Sequence, residues 1–504
     1  MKRAQERTNC HSMTTLSFQR HCSVRGGLLS LAVRLNAFHL CMSGLVAAGL
    51  LTGCVHYEPR PIEPAAIADG LDARTLDAPD FRAFLETNSH GAPLAWPQQK
   101  WDMEQLTLAA FYFHPNLELA RAQWATTRAG EKTAGARPNP TISISPEHAF
   151  NADKGVSPWI AALNLDWPIE TGGKRGKRIT KAEKLSEVAR LNLATTAWQV
   201  RSQLRAALLD YAAPLRREQL LRAQVSLQEK IAGRNESKIR AGALAPHEAA
   251  PARIALAKLH VEAGDAARVA AEARARVAEA LGVPVAALAG KELAFDLNLP
   301  SLGELTSAAA RRQALLGRAD VLAALADYAA SEAELRLQIA KQYPDVHVGT
   351  GYQFDQGEHK WSLGLSGELP VLNRNQGPIS EAFAHRNESA ARFTAVQVKV
   401  IAEIDRALAS FHAAQSQIEQ LKPLRAAQQQ LADSLAAQVK AGAAEPLDAL
   451  TAQSELAGAD LAEFDAQLRV LQALGQLEDA IQRPFDALRV VEQGGSAQTN
   501  LSHP

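Results

Sequence analysis

Two matching stretches decide the fold, residues 159–175 (WIAALNLDWPIETGGKR) and residues 361–377 (WSLGLSGELPVLNRNQG). In each stretch, apolar residues alternate with polar or small residues until a proline is reached. A period of two is typical of a β-strand with one apolar face and one polar face. The proline and the glycines or asparagines after it predict a bend out of the strand. The chain therefore carries the same strand-and-bend unit twice.

The duplication extends outward from these stretches in both directions. Three more pairs of stretches recur in the same order, at 137–142 and 341–346, 239–243 and 439–443, and 280–282 and 473–475. The offsets between partners are 204, 200 and 193 residues, close to the 202 residues that separate the two strand stretches. Self-similarity at a nearly constant offset is typical of a repeat, so we expect two copies of one structural unit.

Each copy is predicted to run helix, strand, strand, long helix, helix. In the first copy we expect a helix at about 104–136, strands at about 141–148 and 159–167, and a long helix at about 174–240. The second copy spans about 307–483, with strands at about 345–354 and 360–369. A helix of that length would be roughly 100 Å long, which suggests a coiled coil or an assembly. The predicted fold class is mainly α with a small β part.

The chain divides into five predicted regions. They are a lipoprotein signal peptide (1–53), an extended anchor segment (54–103), a first repeat (104–300), a second repeat (301–485) and a disordered tail (486–504). The signal ends in Leu51-Thr52-Gly53-Cys54, an apolar run with a small-residue box before a cysteine. We therefore expect cleavage before Cys54 and lipidation of that cysteine.

Composition excludes several classes of function. Basic and acidic residues number 54 each, so no basic excess favours a nucleic-acid partner. All four cysteines lie at or before Cys54, which leaves the body of the chain without a cysteine-based metal site or disulfide. Gly172-Gly173-Lys174-Arg175 lacks the spacing and the hydroxyl residue of a phosphate loop. We expect no enzyme activity, no cofactor and no metal site, and interpret His347, His359 and His385 as surface or lumen polar groups.

The alternating strands favour a membrane barrel over a soluble sheet. Strands of nine to eleven residues can cross a bilayer when tilted, and aromatic residues at their ends suit the membrane interface. Four strands cannot close a barrel alone, and lipid does not tolerate an open edge, whereas three chains would supply twelve strands. A half-buried soluble sheet remains the alternative explanation of the alternation.

The chain resembles the TolC-like outer-membrane factor family over nearly all of residues 104–483. The stretch 167–175 is similar to the "P-I-E-x-G-G-K-R" motif of the cation-efflux, CzcC-like branch, and 369–377 to its "P-L-x-N-R-N-Q-G" motif. His114-Pro115-Asn116-Leu117 fits the family's opening helix. The resemblance implies a homotrimer in which a trimeric α-helical barrel joins a 12-stranded transmembrane β-barrel, with four strands from each chain.

The resemblance also implies roles for two groups of residues. Strand-to-helix bends are expected at Pro168, Gly172, Gly173, Pro370 and Gly377. The periplasmic tip, where the family's tunnel narrows and meets the adaptor, maps to Gly242 with Glu248 and Gly442 with Asp448. These two acids fit a gate, but acids in a first helical turn also fit simple helix capping, and both interpretations stay open. Val439 and Thr451 replace polar gate residues of some family members, which argues against a salt-bridge latch at the tip.

The function implied is a passive outer-membrane duct of a tripartite efflux system in a Gram-negative bacterium. Its expected partners are a periplasmic adaptor protein, an inner-membrane pump of the resistance-nodulation-division type and outer-membrane lipid. The branch-like motifs favour heavy-metal cations as cargo. A duct for drugs or organic solutes and a soluble periplasmic coiled-coil scaffold are the alternatives.

Overall fold

The computed structural model describes residues 56–89, 96–151, 154–299 and 307–485. The predicted signal peptide, Cys54 and the tail at 486–504 lie outside these residues. The chain divides into two compact units, one up to Ile67 and one from Ala68 onward. The second unit contains both copies of the repeat, so the copies are not independent domains.

The segment predicted to be extended, 54–103, contains regular structure instead. It forms helices α1 (Pro64–Asp72) and α2 (Pro79–Asn88) and the two-residue strand β1 (Lys100–Trp101). Phe81 and Leu85 lie four residues apart on one face of α2 and are fully buried, as is Trp101. The prediction of an extended segment was wrong because the many prolines were taken as helix breakers and the apolar face is short. Pro79 instead lies in the first helical turn, where proline is well suited to start a helix.

The first copy begins with two helices where one was predicted. These are α3 (Met103–Phe113) and α4 (Pro115–Ala134), separated at His114. Pro115 has no N–H to continue α3, but it fits the first turn of α4. The His114 Nδ1 atom accepts a hydrogen bond from the Asn116 N–H at 3.2 Å and so caps α4.

This cap predicts acid sensitivity, because His114 Nδ1 can accept only while it is unprotonated. Burial lowers the pKa of His114, and the nearby Glu279 carboxylate offsets this only in part. The unfolded chain then binds the proton more readily than the folded one. The stabilisation is therefore complete above about pH 6.5 and is lost as the pH falls through the lowered pKa.

We expect the substitution His114→Asn, which keeps a capping acceptor but does not titrate, to flatten this dependence. The measurement is the melting temperature followed by circular dichroism between pH 7.5 and pH 5. His412→Asn, at an exposed histidine on a long helix, is the matched control. Equal pH dependence in wild type and His114→Asn would contradict the assignment.

The rest of the first copy consists of two strands and two long helices, a 3-10 turn at Val285–Leu288 and the short strand β4, which pairs in parallel with β1. Their bounds are β2 (Thr141–His148), β3 (Trp159–Ile169), α5 (Lys174–Arg240), α6 (Ala250–Leu281) and β4 (Glu292–Leu293).

The second copy contains α7 (Ser307–Gly317), α8 (Ala319–Ala340), β5 (Val346–Asp355), β6 (Glu358–Gly367), α9 (Gln376–Lys440) and α10 (Pro446–Ile481). The predicted mainly α fold with a small β part is confirmed.

Three of the four predicted strands shift at their ends. β2 has the predicted bounds, whereas β3 runs on to Ile169 and includes Pro168, which was expected to end it. Proline is tolerated there because β2 pairs with β3 only as far as Asp166, which leaves Pro168 paired on one side. β6 starts and ends two residues earlier than predicted, because a two-residue turn at Gln356-Gly357 precedes it and β5 offers no partner after Gly367.

One pair of echoed stretches is not structurally equivalent. Gly282 ends α6 in a left-handed conformation, with φ +75°, whereas Gly475 lies inside α10. The left-handed residue that ends α10 is Gln482, 200 residues after Gly282. Gly475 has a packing role instead: a Cβ atom there would meet Arg205 Nη1 at 2.0 Å. The 193-residue offset therefore misaligned the copies by two helical turns.

The two copies interlock through one sheet and one row of helices. The antiparallel sheet has the order β2-β3-β5-β6, so each copy contributes one hairpin. α5 packs against α4 and α8 and also against α6 and α10, while α9 packs against α8 and α10. The described helices include none that is long and apolar enough to cross a membrane.

Candidate functional site

The sheet separates its side chains into an apolar face and a polar face. Directly opposed residues such as Leu163 and Tyr352, or Tyr352 and Trp361, belong to the apolar face. The same face carries Ile142, Ile144, Leu165, Trp167, Val348, Leu363 and Leu365. Its residues on the outer strands are exposed along their whole length, with Trp361 82% and Leu363 75% exposed. A soluble sheet would cover such a patch with a second layer.

Aromatic residues concentrate at the two ends of the apolar face. At the hairpin end, Tyr352 stacks with His359 and packs at a tilt against Trp361 in one hairpin, and His148 lies against Trp159 in the other. Towards the helix end the face carries Trp167, and the pair Ile169↔Val346 completes it. Eight residues separate Trp159 from Trp167, which corresponds to roughly 26 Å of strand. In a strand tilted by about 40°, that length rises roughly 20 Å along the membrane normal, which approaches the height of the apolar band of an outer-membrane barrel.

The polar face carries more acidic than basic groups. Its charged residues are Glu147, Asp166, Asp355, Glu358 and Lys360, joined by His347. The His347 Nδ1 atom lies 2.8 Å from Asp166 Oδ2, across two strands. No three His, Cys, Asp or Glu side chains within the described ranges come together as metal ligands would.

At the first bend, strand β3 and helix α5 are fastened to strand β5 of the other copy. Asp345 Oδ1 accepts hydrogen bonds from the Thr171 N–H at 2.9 Å and from Lys174 Nζ at 2.8 Å. Burial alone would raise the pKa of the Asp345 carboxyl, but these two donors outweigh it, and the pKa lies below its ordinary value. Lys174 is itself nearly buried while Asp345 is about a third exposed, so this ion pair is only partly shielded from solvent.

Arg175 of the same motif, together with Arg178 three residues beyond it, holds the end of the preceding helix. Arg175 Nε donates to the Gly135 carbonyl at 2.7 Å, and Arg178 donates to the carbonyls of Ala134 and Ala136 while pairing with Glu170. Cations at a helix C-terminus satisfy the carbonyls that the helix leaves unpaired. Most of the motif in 167–175 therefore serves to join helix, strand and helix. Sequence reasoning found the motif but not these contacts, which join residues far apart in the chain.

The bend residues of the two copies differ in backbone conformation. Gly172 and Gly173 have φ of +62° and +67°, which glycine adopts readily. In the second copy the equivalent left-handed residue is Asn375, with φ +62°, and Gly377 lies in the first turn of α9 without a positive φ. The role expected of Gly377 was wrong, because asparagine also tolerates this conformation. Pro370 lies three residues beyond the end of β6.

At the opposite end of the long helices, both copies turn through a glycine. Gly242 and Gly442 have φ of +71° and +76°. The following N–H in each turn, at Ala243 and Ala443, bonds back to the fifth carbonyl before it at 2.8 Å. This is the pattern of a Schellman C-cap, which requires a left-handed residue.

The two acids at this tip sit at the start of the returning helices. Glu248 Oε2 accepts the Ala245 N–H at 2.9 Å within the turn that precedes α6, whose N-cap residue, Ala249, makes no side-chain hydrogen bond. Asp448 lies in the first turn of α10. The tips of the two copies are also joined by Lys238 Nζ and Glu445 Oε2, 2.5 Å apart, which the sequence argument against a salt-bridge latch did not anticipate. A groove of about 250 Å³ lies between the tips beside this ion pair.

Comparison with known proteins assigns this arrangement to a family. The family model for outer membrane efflux proteins matches residues 112–283 and 310–481, one match in each copy. The chain belongs to the outer membrane efflux protein family.

Individual members agree with this assignment. The cobalt-zinc-cadmium resistance protein CzcC of Cupriavidus metallidurans is 25% identical over 386 residues, which cover 72% of this chain and 84% of that protein. The outer-membrane channel OprN has a TM-score of 0.61 at 20% identity, covering 76% of this chain and 90% of its own. The outer membrane protein VceC of Vibrio cholerae has a TM-score of 0.61 at 20% sequence identity, and the match covers 76% of this chain and 96% of VceC. This efflux protein thus has the fold of a TolC-type channel subunit, and its relatives are channel proteins rather than enzymes.

Proposed function

We propose that three copies of this efflux protein form a closed, lipid-anchored duct through the outer membrane that carries heavy-metal cations. The observation that carries the proposal is the four-stranded sheet, which has an exposed apolar face and two unpaired edges, β2 and β6. An apolar face in lipid leaves no water to satisfy the backbone groups of an open edge. Closure by further copies satisfies both requirements at once.

The helices offer edges on the same two sides of the chain. In the row α6–α5–α10–α9, the outer helices are α6 and α9. α6 exposes Ile254 and Val261, and α9 exposes Leu424 and Leu431, each pair seven residues apart. A seven-residue apolar spacing is typical of a helix that packs against another helix in a coiled coil. Because the two edges differ, head-to-tail contacts between copies would close into a ring.

Metal cations are supported as cargo by two features. The relative CzcC is named for resistance to cobalt, zinc and cadmium. The polar face, which would line the barrel, carries four carboxylates and a single lysine. Rings of carboxylates favour the passage of cations over anions.

The remaining elements of the proposal concern anchoring and partners. Lipid on Cys54 would tether the mature N-terminus to the outer membrane. The Gly242 and Gly442 turns and the groove between them would meet the periplasmic adaptor, which couples the duct to an inner-membrane pump of the resistance-nodulation-division type. Glu248 and Asp448 would then stand at the mouth of the duct, where they can act as gate residues.

The test of the duct is the molar mass of the detergent-extracted protein, measured by light scattering corrected for bound detergent. We expect three times the mass of the mature chain, and mass spectrometry of the same sample is expected to show the lipid on Cys54. A water-soluble monomer or dimer would contradict the duct and favour a periplasmic scaffold.

The test of the cargo is growth after deletion of the gene. We expect loss of tolerance to cobalt, zinc or cadmium, restored by the wild-type gene, with tolerance to organic toxicants unchanged. Unchanged tolerance to every metal together with sensitivity to organic toxicants would replace the metal cargo by an organic one.

A further inference from the structure

The two hairpins of the sheet are equivalent residue by residue. Two observations fix the equivalence: Trp159 corresponds to Trp361 at an offset of 202, and Pro140 to Pro344 at an offset of 204. Applied to the β2–β3 pair Ile144↔Leu163, these offsets give Val348↔Leu365, which is the pair observed between β5 and β6. The left-handed residues Gly173 and Asn375, also 202 apart, support the first offset independently.

The contact between the hairpins can therefore be carried over to the open edges. β3 of the first hairpin pairs with β5 of the second. The equivalent of β3 is β6, and the equivalent of β5 is β2. The same contact made a second time would therefore join β6 of one chain to β2 of another chain. The observed pair Asn164↔Gly351 becomes Ser366 opposite Glu147, and Trp167↔Val348 becomes Leu369 opposite Ile144.

We propose that β6 of one chain pairs antiparallel with β2 of a second chain in this register, with Ser366 of the first chain opposite Glu147 of the second. This inference rests on the proposed duct and specifies how its barrel is closed. It also implies that residues 368–371 join β6 on assembly, because the equivalent stretch of β3 continues to Ile169.

The side chains of the extended strand agree with the register. Leu369 and Val371 are 80% and 73% exposed in the single chain. In the proposed register they lie opposite Ile144 and Ile142 of the next chain, so the apolar face continues across the junction between chains. Glu368 falls on the polar face, opposite Ser145. A shift by one residue would set apolar-face residues of one strand opposite polar-face residues of the other, such as Leu369 opposite Ser145.

The junction between two chains differs in one respect from the junction between the two hairpins of one chain. Within one chain, Asp345 accepts hydrogen bonds from Thr171 and Lys174. At the junction between chains, Thr141 takes the place of Asp345, and Asn373 and Gln376 take the places of Thr171 and Lys174. The junction between chains therefore lacks this ion pair and depends on strand pairing and apolar contacts.

Disulfide trapping tests the register in the intact protein. The variant Glu147→Cys/Ser366→Cys is expected to form a covalent trimer on mild oxidation in membranes, seen on a non-reducing denaturing gel. The two sites of one chain lie on opposite edges of the sheet, three strand spacings or about 14 Å apart across it, and Ser366 is also eight residues, about 26 Å, further along than Glu358, which lies level with Glu147. This separation excludes a bond within the chain. The matched control is Ser143→Cys/Ser366→Cys, which moves one cysteine four residues, about 13 Å, along β2. Each single-cysteine variant reports the background of the native Cys54.

The outcomes separate this inference from the proposed function. Crosslinking of the Glu147 pair but not the Ser143 pair would support the register, and the reverse would overturn it. If neither pair crosslinks in a sample that light scattering shows to be trimeric, the register is wrong while the duct stands. If the sample is not trimeric, the duct itself fails.

Discussion

Replacement of Gly282 by alanine is expected to destabilise the protein by about 3 kcal/mol, one of the two largest effects we predict. Gly282 ends α6 with φ +75°, a conformation that disfavours a Cβ atom. The added Cβ would also lie 2.8 Å from the Phe113 carbonyl oxygen and 3.0 Å from His114 Cα. Both are backbone atoms of the break between α3 and α4, which cannot move aside without disturbing the core around Leu106 and Leu281.

Gly242→Ala is the matched control for this prediction. Gly242 has nearly the same backbone angle, φ +71°, but no atom lies within 4 Å of a Cβ placed there. Only the conformational cost remains, about 1 kcal/mol. Urea unfolding of the detergent-solubilised protein, followed by circular dichroism, measures both. Equal losses for the two variants would show that the contact with Phe113 does not matter.

The second large effect is expected at Glu478, a carboxylate with a side chain only 7% exposed. Glu478 on α10 faces Arg201 and Arg205 on α5, at 3.4 and 3.3 Å, and accepts the Phe485 N–H at 2.9 Å. Glu478→Gln keeps the shape but leaves two largely buried guanidinium groups facing a neutral amide. Because a buried charge without its partner is costly, we expect a loss of about 3 kcal/mol.

Glu187→Gln makes the same chemical change in an exposed pair. Glu187 binds Arg190 through two hydrogen bonds on the surface of α5, where both side chains are more than 40% exposed. Solvent screens such pairs, so the expected loss is below about 0.5 kcal/mol. Urea unfolding again gives the comparison. A loss at Glu478 no larger than that at Glu187 would mean that the buried network does not hold α5 to α10.

The sequence predicted best where local chemistry alone decides the structure. The end of α5 coincides with prediction, because Gly242 caps the helix through its own backbone angle. Strand faces were predicted for the same reason, since alternation depends only on neighbours in the chain. The strand ends were less accurate, because they depend on how far the partner strand extends.

The sequence predicted worst where distant residues meet. Nothing near Asp345 signals that it receives Lys174, and nothing near Lys238 signals Glu445, because these partners lie 171 and 207 residues away. The role of Gly475 was also hidden: a glycine in a helix normally weakens it, and only the Arg205 side chain explains why it is there. At the tip, the sequence left capping and gating open for Glu248, and its part in a gate remains a prediction.

The interlocked sheet also sets the order in which the chain can fold. The hairpin β2–β3 has no stable partner until β5 arrives, and the Lys174–Asp345 pair closes a loop of 171 residues. An isolated two-stranded hairpin is marginal, and pairing across so long a loop is slow. The first hairpin must therefore wait, with its apolar face unpaired, until β5 near the start of the second copy has been made. Duplication gave this chain its symmetry, and that symmetry makes its sheet depend on both copies.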